Sequence, residues 1–224
     1  MLYQGCYSAP AAPTIIYVTT PTTPSSTHPV ATTTSTSSKY CAGFTDVLAK
    51  SAECAAINNV VKAGIFSGYA NGTFGPAKSI NRAEASKVIT TGWDYKIVSA
   101  AKDATGGFRD TEKGSWYMPY LLTAKNNSIV KGYPDLTFKP ANNITKAEFV
   151  KMVLAAAKVD PGACKVAPFK DIPGEAWYLT YLCYANNLGI IYGDSRNFFF
   201  PDTAITRGEV ADILARALEK GIVE

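Results

Sequence analysis

Histidine is almost absent from this chain: His28 is the only one among 224 residues. Serine and cysteine nucleophiles usually need a histidine base, and no Cys/His spacing typical of a zinc site is present. The net charge of +4 is too small and too scattered to indicate a nucleic-acid partner. No apolar run reaches transmembrane length. The sequence therefore disfavours an enzyme, a nucleic-acid-binding protein and membrane insertion, and it predicts no cofactor or metal.

Residues 1–40 are expected to form an N-terminal segment and linker. Residues 19–38 are almost entirely Thr, Ser and Pro, a composition that cannot bury enough apolar surface to fold. We interpret them as a spacer that follows an upstream domain; a plain disordered tail is the alternative. No basic segment followed by an apolar one marks a signal peptide, so we expect a longer parent chain.

The rest of the chain is an internal repeat. A loop motif that runs from Gly to Pro in eight positions, with an Ile four positions later, occurs at 68–80, 132–144 and 193–205. An upstream Phe-x-Asp motif begins at Phe44, Phe108 and Phe169, with the same offsets of 64 and 61 residues as the Ile positions. The predicted repeats are 41–103, 104–163 and 164–224. A repeat of this length is one supersecondary unit that cannot bury its apolar face alone.

Each repeat is predicted to contain two helices around the loop, which makes the fold class all-α. In the second helix, apolar residues recur at i, i+3, i+4 and i+7, as on the buried face of a helix. Each second helix opens with a capping box, in which an N-cap side chain and a Glu three residues later satisfy free backbone N–H groups. These pairs are Asn81 with Glu84, Thr145 with Glu148, and Thr206 with Glu209.

Four of the five cysteines occupy matched places in repeats 1 and 3. Cys41 and Cys164 precede the Phe-x-Asp motif, and Cys54 and Cys183 lie on the same face of the first helix. We expect Cys41–Cys54 and Cys164–Cys183 disulfides, formed in an oxidising compartment. Buried free thiols are the alternative, and Cys6 is left over.

The loop and helix motifs resemble the S-layer homology family, which usually has three tandem copies. The resemblance covers roughly residues 41–221. It implies a pseudo-threefold arrangement of helix–loop–helix repeats, an extracellular location, and non-covalent anchoring to bacterial cell-wall polysaccharide. A structural module that makes protein–protein contacts in a surface layer, through self-association and without sugar binding, is the alternative.

A basic residue lies between the two members of each capping box, at Arg82, Lys146 and Arg207. The positive end of a helix dipole disfavours a cation there, so three occurrences suggest a task. A cation beside free helix N–H groups forms an anion site. The resemblance implies that this position contacts an acidic, often pyruvylated, glycan. The alternative is an ion pair with Asp46, Asp110 or Asp171, which are themselves candidate glycan-binding residues.

Aromatic residues supply the second half of the predicted sugar site. The pairs Trp116-Tyr117 and Trp177-Tyr178 begin the first helices of repeats 2 and 3, and Tyr69 and Tyr133 follow the loop Gly in repeats 1 and 2. The apolar face of a sugar packs well on such a ring; a half-buried core position is the alternative. Repeat 3 has Asp194 at the Tyr position, so we expect unequal grooves. Replacing the arginines by alanine is expected to weaken glycan binding and to leave the fold intact.

Overall fold

A computed structural model describes residues 39–101 and 104–223, and six α-helices lie within these ranges. Each repeat contributes a short first helix and a longer second helix: α1 (Cys54–Lys62) and α2 (Arg82–Gly92), α3 (Met118–Asn126) and α4 (Lys146–Ala156), α5 (Leu179–Asn187) and α6 (Arg207–Glu219). The described residues contain isolated β-bridges but no strands, which confirms the predicted all-α fold. The predicted linker, Cys6 and His28 lie outside the described residues.

All three second helices begin at a capping box, as predicted. At Asn81 the side chain accepts the backbone N–H of Glu84 at 2.8 Å, and the Glu84 carboxylate accepts the N–H of Asn81 at 2.9 Å. The Thr145–Glu148 and Thr206–Glu209 pairs form the same two bonds. Each N-cap contributes about 1 kcal/mol to the stability of its helix.

The aspartate of the Phe-x-Asp motif binds the loop between the two helices of its repeat. The carboxylate of Asp46 accepts the backbone N–H groups of Phe74 and Gly75 at 2.8 and 2.7 Å. Asp110 and Asp171 bind the matching loop residues of their own repeats in the same way. The phenylalanine of the loop is buried under the turn in every repeat, at Phe74, Phe138 and Phe199. The sequence predicts that this phenylalanine fills the core under the turn, and its burial confirms the prediction.

Several non-glycine residues of these loops adopt a left-handed backbone conformation, among them Leu136, Lys139 and Phe200. Leu136 lies in the left-handed region, with φ 62°, where repeats 1 and 3 have Gly72 and Asn197. The sequence predicts either strain or a different turn at this position. The turn is the same, because Tyr133 donates to the carbonyl of Thr137 as Tyr69 does to that of Thr73. The leucine is therefore strained by about 1–2 kcal/mol.

Three isoleucines join the repeats around a pseudo-threefold axis. The backbone N–H of Ile80 donates to the carbonyl of Ile205, that of Ile205 to Ile144, and that of Ile144 to Ile80, at 3.0 to 3.2 Å. All three side chains are fully buried. Because each repeat donates to one neighbour and accepts from the other, the three repeats form a closed ring.

The helices pack between repeats as well as within the shared core. α2 packs against α3, α4 against α5, and α6 against α1, so each second helix contacts the first helix of the next repeat. Val88, Ile89, Phe149, Val153 and Leu214 of the predicted stripes are buried in this core. The predicted pseudo-threefold arrangement is confirmed.

Two disulfides connect the lead-in segments to their first helices, as predicted. Cys41 is bonded to Cys54 with a Cα–Cα distance of 5.5 Å, and Cys164 is bonded to Cys183 at 6.1 Å. Cys41 is buried, whereas Cys164 and Cys183 remain partly accessible. The alternative of free thiols at these four positions is wrong.

Candidate functional site

Arg82 of repeat 1 inserts into the loop of repeat 2. Its Nε donates to the carbonyl of Phe138 at 2.8 Å, and its guanidinium pairs with Glu148 at 3.2 Å. The guanidinium carbon lies 4.9 Å from the centre of the Tyr133 ring and 5.0 Å from that of Phe138. The side chain therefore connects two repeats through a hydrogen bond, an ion pair and two cation–π contacts.

Arg207 of repeat 3 makes the matching insertion into repeat 1 and closes the ring. Its Nε donates to the carbonyl of Phe74 and a terminal nitrogen donates to that of Ser67, both at 2.7 Å. Burial lowers the pKa of the Arg207 guanidinium, while nearby Tyr69, Glu84 and Asp46 act to raise it. An arginine remains charged under these conditions.

Lys146 is the weaker member of the set. Its ammonium pairs with Glu209 at 2.5 Å and lies 5.7 Å from the Phe199 ring and 5.9 Å from the Phe200 ring. A lysine cannot donate in the forked geometry that the arginines use.

The helix N-termini beside these cations are not free to bind an anion. Arg82 and Ala83 donate their backbone N–H groups to the carbonyls of Asn142 and Pro140 at 3.0 and 3.1 Å. The first two N–H groups of α4 and α6 are bonded to the next repeat in the same way. The prediction of free helix N–H groups is therefore wrong, and any anion must be bound by side chains.

The alternative of an ion pair between the basic residues and the Phe-x-Asp aspartates is also wrong. The carboxylates of Asp46, Asp110 and Asp171 accept loop N–H groups, and the basic residues of repeats 1 and 2 pair with capping-box glutamates instead. Partial burial acts to raise the pKa of Asp46, but the hydrogen bonds from the N–H groups of Phe74 and Gly75 lower it by more. The net pKa therefore lies below its usual value. The placement of these aspartates is that of loop anchors.

The Trp-Tyr pairs divide into one exposed and one buried ring. Trp116 and Trp177 are 55% and 52% exposed, whereas Tyr117 and Tyr178 are buried. The core alternative is therefore wrong for the tryptophans and correct for the tyrosines that follow them. An exposed tryptophan beside a groove offers a flat apolar surface to a ligand.

Three grooves follow from the arrangement, each named here after its second helix. Groove A is defined by correspondence with groove B: along α2, the guanidinium of Arg207 lies 4.6 Å from the Tyr69 ring centre and Lys87 lies near Trp116. Groove B lies along α4, has a volume of about 720 Å³, and is lined by Arg82, Tyr133, Glu148 and Trp177 among others. Groove C lies along α6, has a volume of about 360 Å³, and is lined by Lys146, Asp194 and Glu209 among others. A volume of a few hundred Å³ suits a small saccharide unit.

Two lysines in these grooves were missed by the sequence analysis. Lys151 lies above Trp177, with its ammonium 5.1 Å from the ring centre, and Lys87 lies 6.0 Å from the Trp116 ring centre. Each follows its capping-box glutamate by three residues, which is one helical turn. A comparison of the three repeats at that position would have found them.

The fold and grooves define a class of protein: a three-repeat helical module that presents cationic and aromatic side chains between its repeats. The sequence pattern of the S-layer homology domain matches residues 43–86, 107–150 and 168–211, which together make up more than half of the chain. The chain belongs to the S-layer homology domain family. One match falls inside each of the three predicted repeats.

Curated relatives are surface proteins of bacteria. The chain is 29% identical to the middle cell wall protein of Brevibacillus brevis over 72% of its own length and 14% of that protein's. It is 30% identical to the surface-layer 125 kDa protein of Lysinibacillus sphaericus over 73% of its length and 14% of the relative's. It is 36% identical to the cellulosome-anchoring protein of Acetivibrio thermocellus over 54% of its length and 27% of the relative's. The chain thus spans about one seventh of the first two proteins. No described helix is long and apolar enough to cross a membrane.

Proposed function

We propose that residues 39–223 form a non-catalytic module that anchors a longer extracellular protein to the bacterial cell wall by binding an acidic polysaccharide in its grooves. Family membership and the cell-wall and anchoring relatives support the anchoring role. The side chains in the grooves support the ligand class, and a pyruvylated sugar is the acidic unit that we favour.

Groove B is the single observation that carries the proposal. Its lining has four cationic side chains and two carboxylates, and Trp177 is exposed at its edge. The bonds described for Arg82 use two of its five N–H donors, which leaves three for a ligand. A cation next to an exposed aromatic ring matches an acidic sugar, because the carboxylate meets the charge while the apolar sugar face packs on the ring.

Binding of a polymer to more than one groove supplies avidity. Once one groove holds a sugar unit, a second unit of the same strand is already close to the next groove. Anchoring therefore does not require tight binding at any single groove.

The proposal is tested by sedimentation of the protein with purified sacculi, before and after removal of their secondary polysaccharide. Retention on untreated sacculi and loss on stripped sacculi is the expected result. Lys151→Glu should reduce retention. Lys165→Glu makes the same charge change at an exposed position outside the three grooves and should not. Equal retention on both kinds of sacculi would overturn the proposal, and self-association without sacculus binding would favour the surface-layer contact module.

A further inference from the structure

We propose that grooves A and B bind the acidic glycan through Lys87 and Lys151, and that groove C does not bind it. This inference rests on the proposed function and adds the number of sites and the residues that decide it.

The two lysines occupy equivalent places and are available to a ligand. Both are exposed, and no described carboxylate lies within ion-pair distance of either. The ammonium of Lys151 lies 5.1 Å from the ring centre of Trp177 and 5.5 Å from that of Tyr181. The ammonium of Lys87 lies 6.0 Å and 5.6 Å from the ring centres of Trp116 and Tyr120. Each lysine thus forms an exposed cation–aromatic cluster on its second helix, and Lys151 lines groove B.

Groove C has the opposite charge at the same position. Asp212 follows Glu209 by three residues, as Lys87 and Lys151 follow their glutamates. Asp212 forms an ion pair with Arg216 at 2.7 Å, and the Arg216 guanidinium lies 4.6 Å from the Tyr192 ring centre. The positive charge of Arg216 is therefore already neutralised by Asp212. Asp194, where grooves A and B have tyrosines, brings another carboxylate, which is paired with Arg196.

The tryptophan beside grooves A and B has no counterpart at groove C. α6 packs against α1 of repeat 1. Trp116 and Trp177 each lie six residues after the Phe-x-Asp aspartate, and the residue at that distance from Asp46 is Ala52. Ala56 likewise matches Tyr120 and Tyr181. An apolar sugar face would find no tryptophan there, although Tyr192 and Phe200 line the other side of groove C and are 58% and 39% exposed.

The charge balance decides which groove an acidic sugar prefers. Groove B is lined by four cationic side chains and two carboxylates, whereas groove C is lined by two cationic side chains and three carboxylates. A carboxylate ligand in groove C would face Asp194, Glu209 and Asp212, and like charges placed together weaken binding.

Titration calorimetry with short polysaccharide fragments, released from sacculi that retain the protein, tests the inference. The fragments must be too short to span two grooves, so that the stoichiometry counts sites. We expect two sites per chain for the unaltered protein, one for Lys87→Glu, one for Lys151→Glu and none for the double variant. Lys165→Glu should keep two sites. For Lys87→Ala and Lys151→Ala we expect about a three- to tenfold loss of affinity at the altered groove, as for an exposed charge.

A gain of binding provides the complementary test. Asp212→Lys combined with Ala52→Trp should add a third site, whereas Ala52→Trp alone should not. Melting curves must show that every variant stays folded. Three sites in the unaltered protein, or two unchanged sites in the double lysine variant, would overturn the inference and leave the anchoring function standing. Fragments that bind to no variant, including the unaltered protein, would overturn the polysaccharide proposal itself.

Discussion

Arg207 donates a hydrogen bond from Nε to the backbone carbonyl of Phe74, across 133 residues of sequence. This bond joins the last repeat to the first. Arg82 makes the matching bond from repeat 1 to repeat 2. The basic residue that recurs in the repeats therefore has a structural role in the ring, in addition to its proposed role in glycan binding. The sequence-based expectation that the fold survives loss of these arginines overlooked the two bonds.

Arg207→Ala should lower the free energy of unfolding by about 2–4 kcal/mol. The substitution removes two hydrogen bonds and leaves the carbonyl of buried Phe74 without a donor, whereas Ser67 is exposed and its carbonyl can bond to water. The stability of Arg207→Lys should lie between that of Arg207→Ala and that of the unaltered protein, because lysine keeps the charge but lacks the forked donors of the guanidinium. Urea unfolding measures both values.

Arg196→Ala, at a largely exposed arginine that pairs with Asp194, is the control and should change stability by less than about 0.5 kcal/mol. Equal stability of Arg207→Ala and the unaltered protein would contradict the structural role.

Deletion of residues 165–224 should abolish cooperative unfolding of the remaining repeats. The deletion removes the carbonyl that accepts the Ile80 N–H and the hydrogen bond from Arg207 to the Phe74 carbonyl. It also removes the packing of α6 on α1. The apolar stripes of repeats 1 and 2 would then face solvent. Calorimetry of residues 39–164 against residues 39–224 is the measurement. A cooperative transition of the shorter chain at the parent temperature would show that the repeats fold without the ring.

Local features of the fold could be predicted from the sequence because their causes lie within a few residues. The capping boxes, the buried Phe74 and the lead-in disulfides all follow from spacing inside one repeat. The partner of each basic side chain could not be predicted, since Arg82 pairs with Glu148 from another repeat and this depends on the handedness of the ring. The same repeat-to-repeat contacts occupy the helix N–H groups, which is why the anion site expected there does not exist.

The exposure of the Trp-Tyr pairs could be predicted only in part from the sequence. Both residues of each pair lie in the turn just before the first helix, which begins at Met118 or Leu179 and not at the tryptophan as predicted, and one ring of each pair is exposed while the other is buried. The sequence left open which of the two is buried, and the packing of the first helix against the preceding repeat decides in favour of Tyr117 and Tyr178.

Leu136→Gly should stabilise the protein by roughly 0.5–1 kcal/mol. The left-handed backbone of Leu136 costs a leucine about 1–2 kcal/mol, and glycine relieves this while it raises the entropy of the unfolded chain. The side chain is 51% exposed, so little packing is lost. Gly72→Ala in repeat 1 is the reciprocal variant and should destabilise, since the space around its Cβ is open and only the backbone conformation opposes it. Thermal melts of both variants test the pair; a loss of stability in Leu136→Gly would contradict the strain.

The two disulfides should differ in their resistance to reductant. Cys164–Cys183 should be reduced first, because both of its cysteines are partly accessible, whereas in the other bond Cys54 is partly accessible and Cys41 is 2% exposed. Loss of either bond should cost about 3 kcal/mol on the chain-entropy account, given sequence separations of 13 and 19 residues. Alkylation during timed exposure to dithiothreitol, followed by peptide mapping, gives the order. Finding all four thiols alkylated in unreduced secreted protein would contradict both bonds.

Asp46 should contribute to acid sensitivity of the fold. Partial burial raises the pKa of this carboxyl, but the N–H groups of Phe74 and Gly75 bind the ionised form and leave the pKa lower than in the unfolded chain. A lowered folded pKa means that the stabilisation is present above the unfolded value of about 3.9 and is lost as the pH falls through the folded value. Stability should therefore decline below about pH 4.

Asp46→Asn should remove Asp46's share of that decline and lower stability at neutral pH by about 1–2 kcal/mol, because an amide can accept one loop N–H group and presents its own N–H₂ to the other. Urea unfolding at pH 7 and at pH 3 measures the difference. Asp94→Asn, at an exposed carboxylate just after the end of α2, is the matched control and should leave the Asp46 contribution in place. If Asp46→Asn loses as much stability between pH 7 and pH 3 as the unaltered protein does, this carboxylate is not the group that titrates.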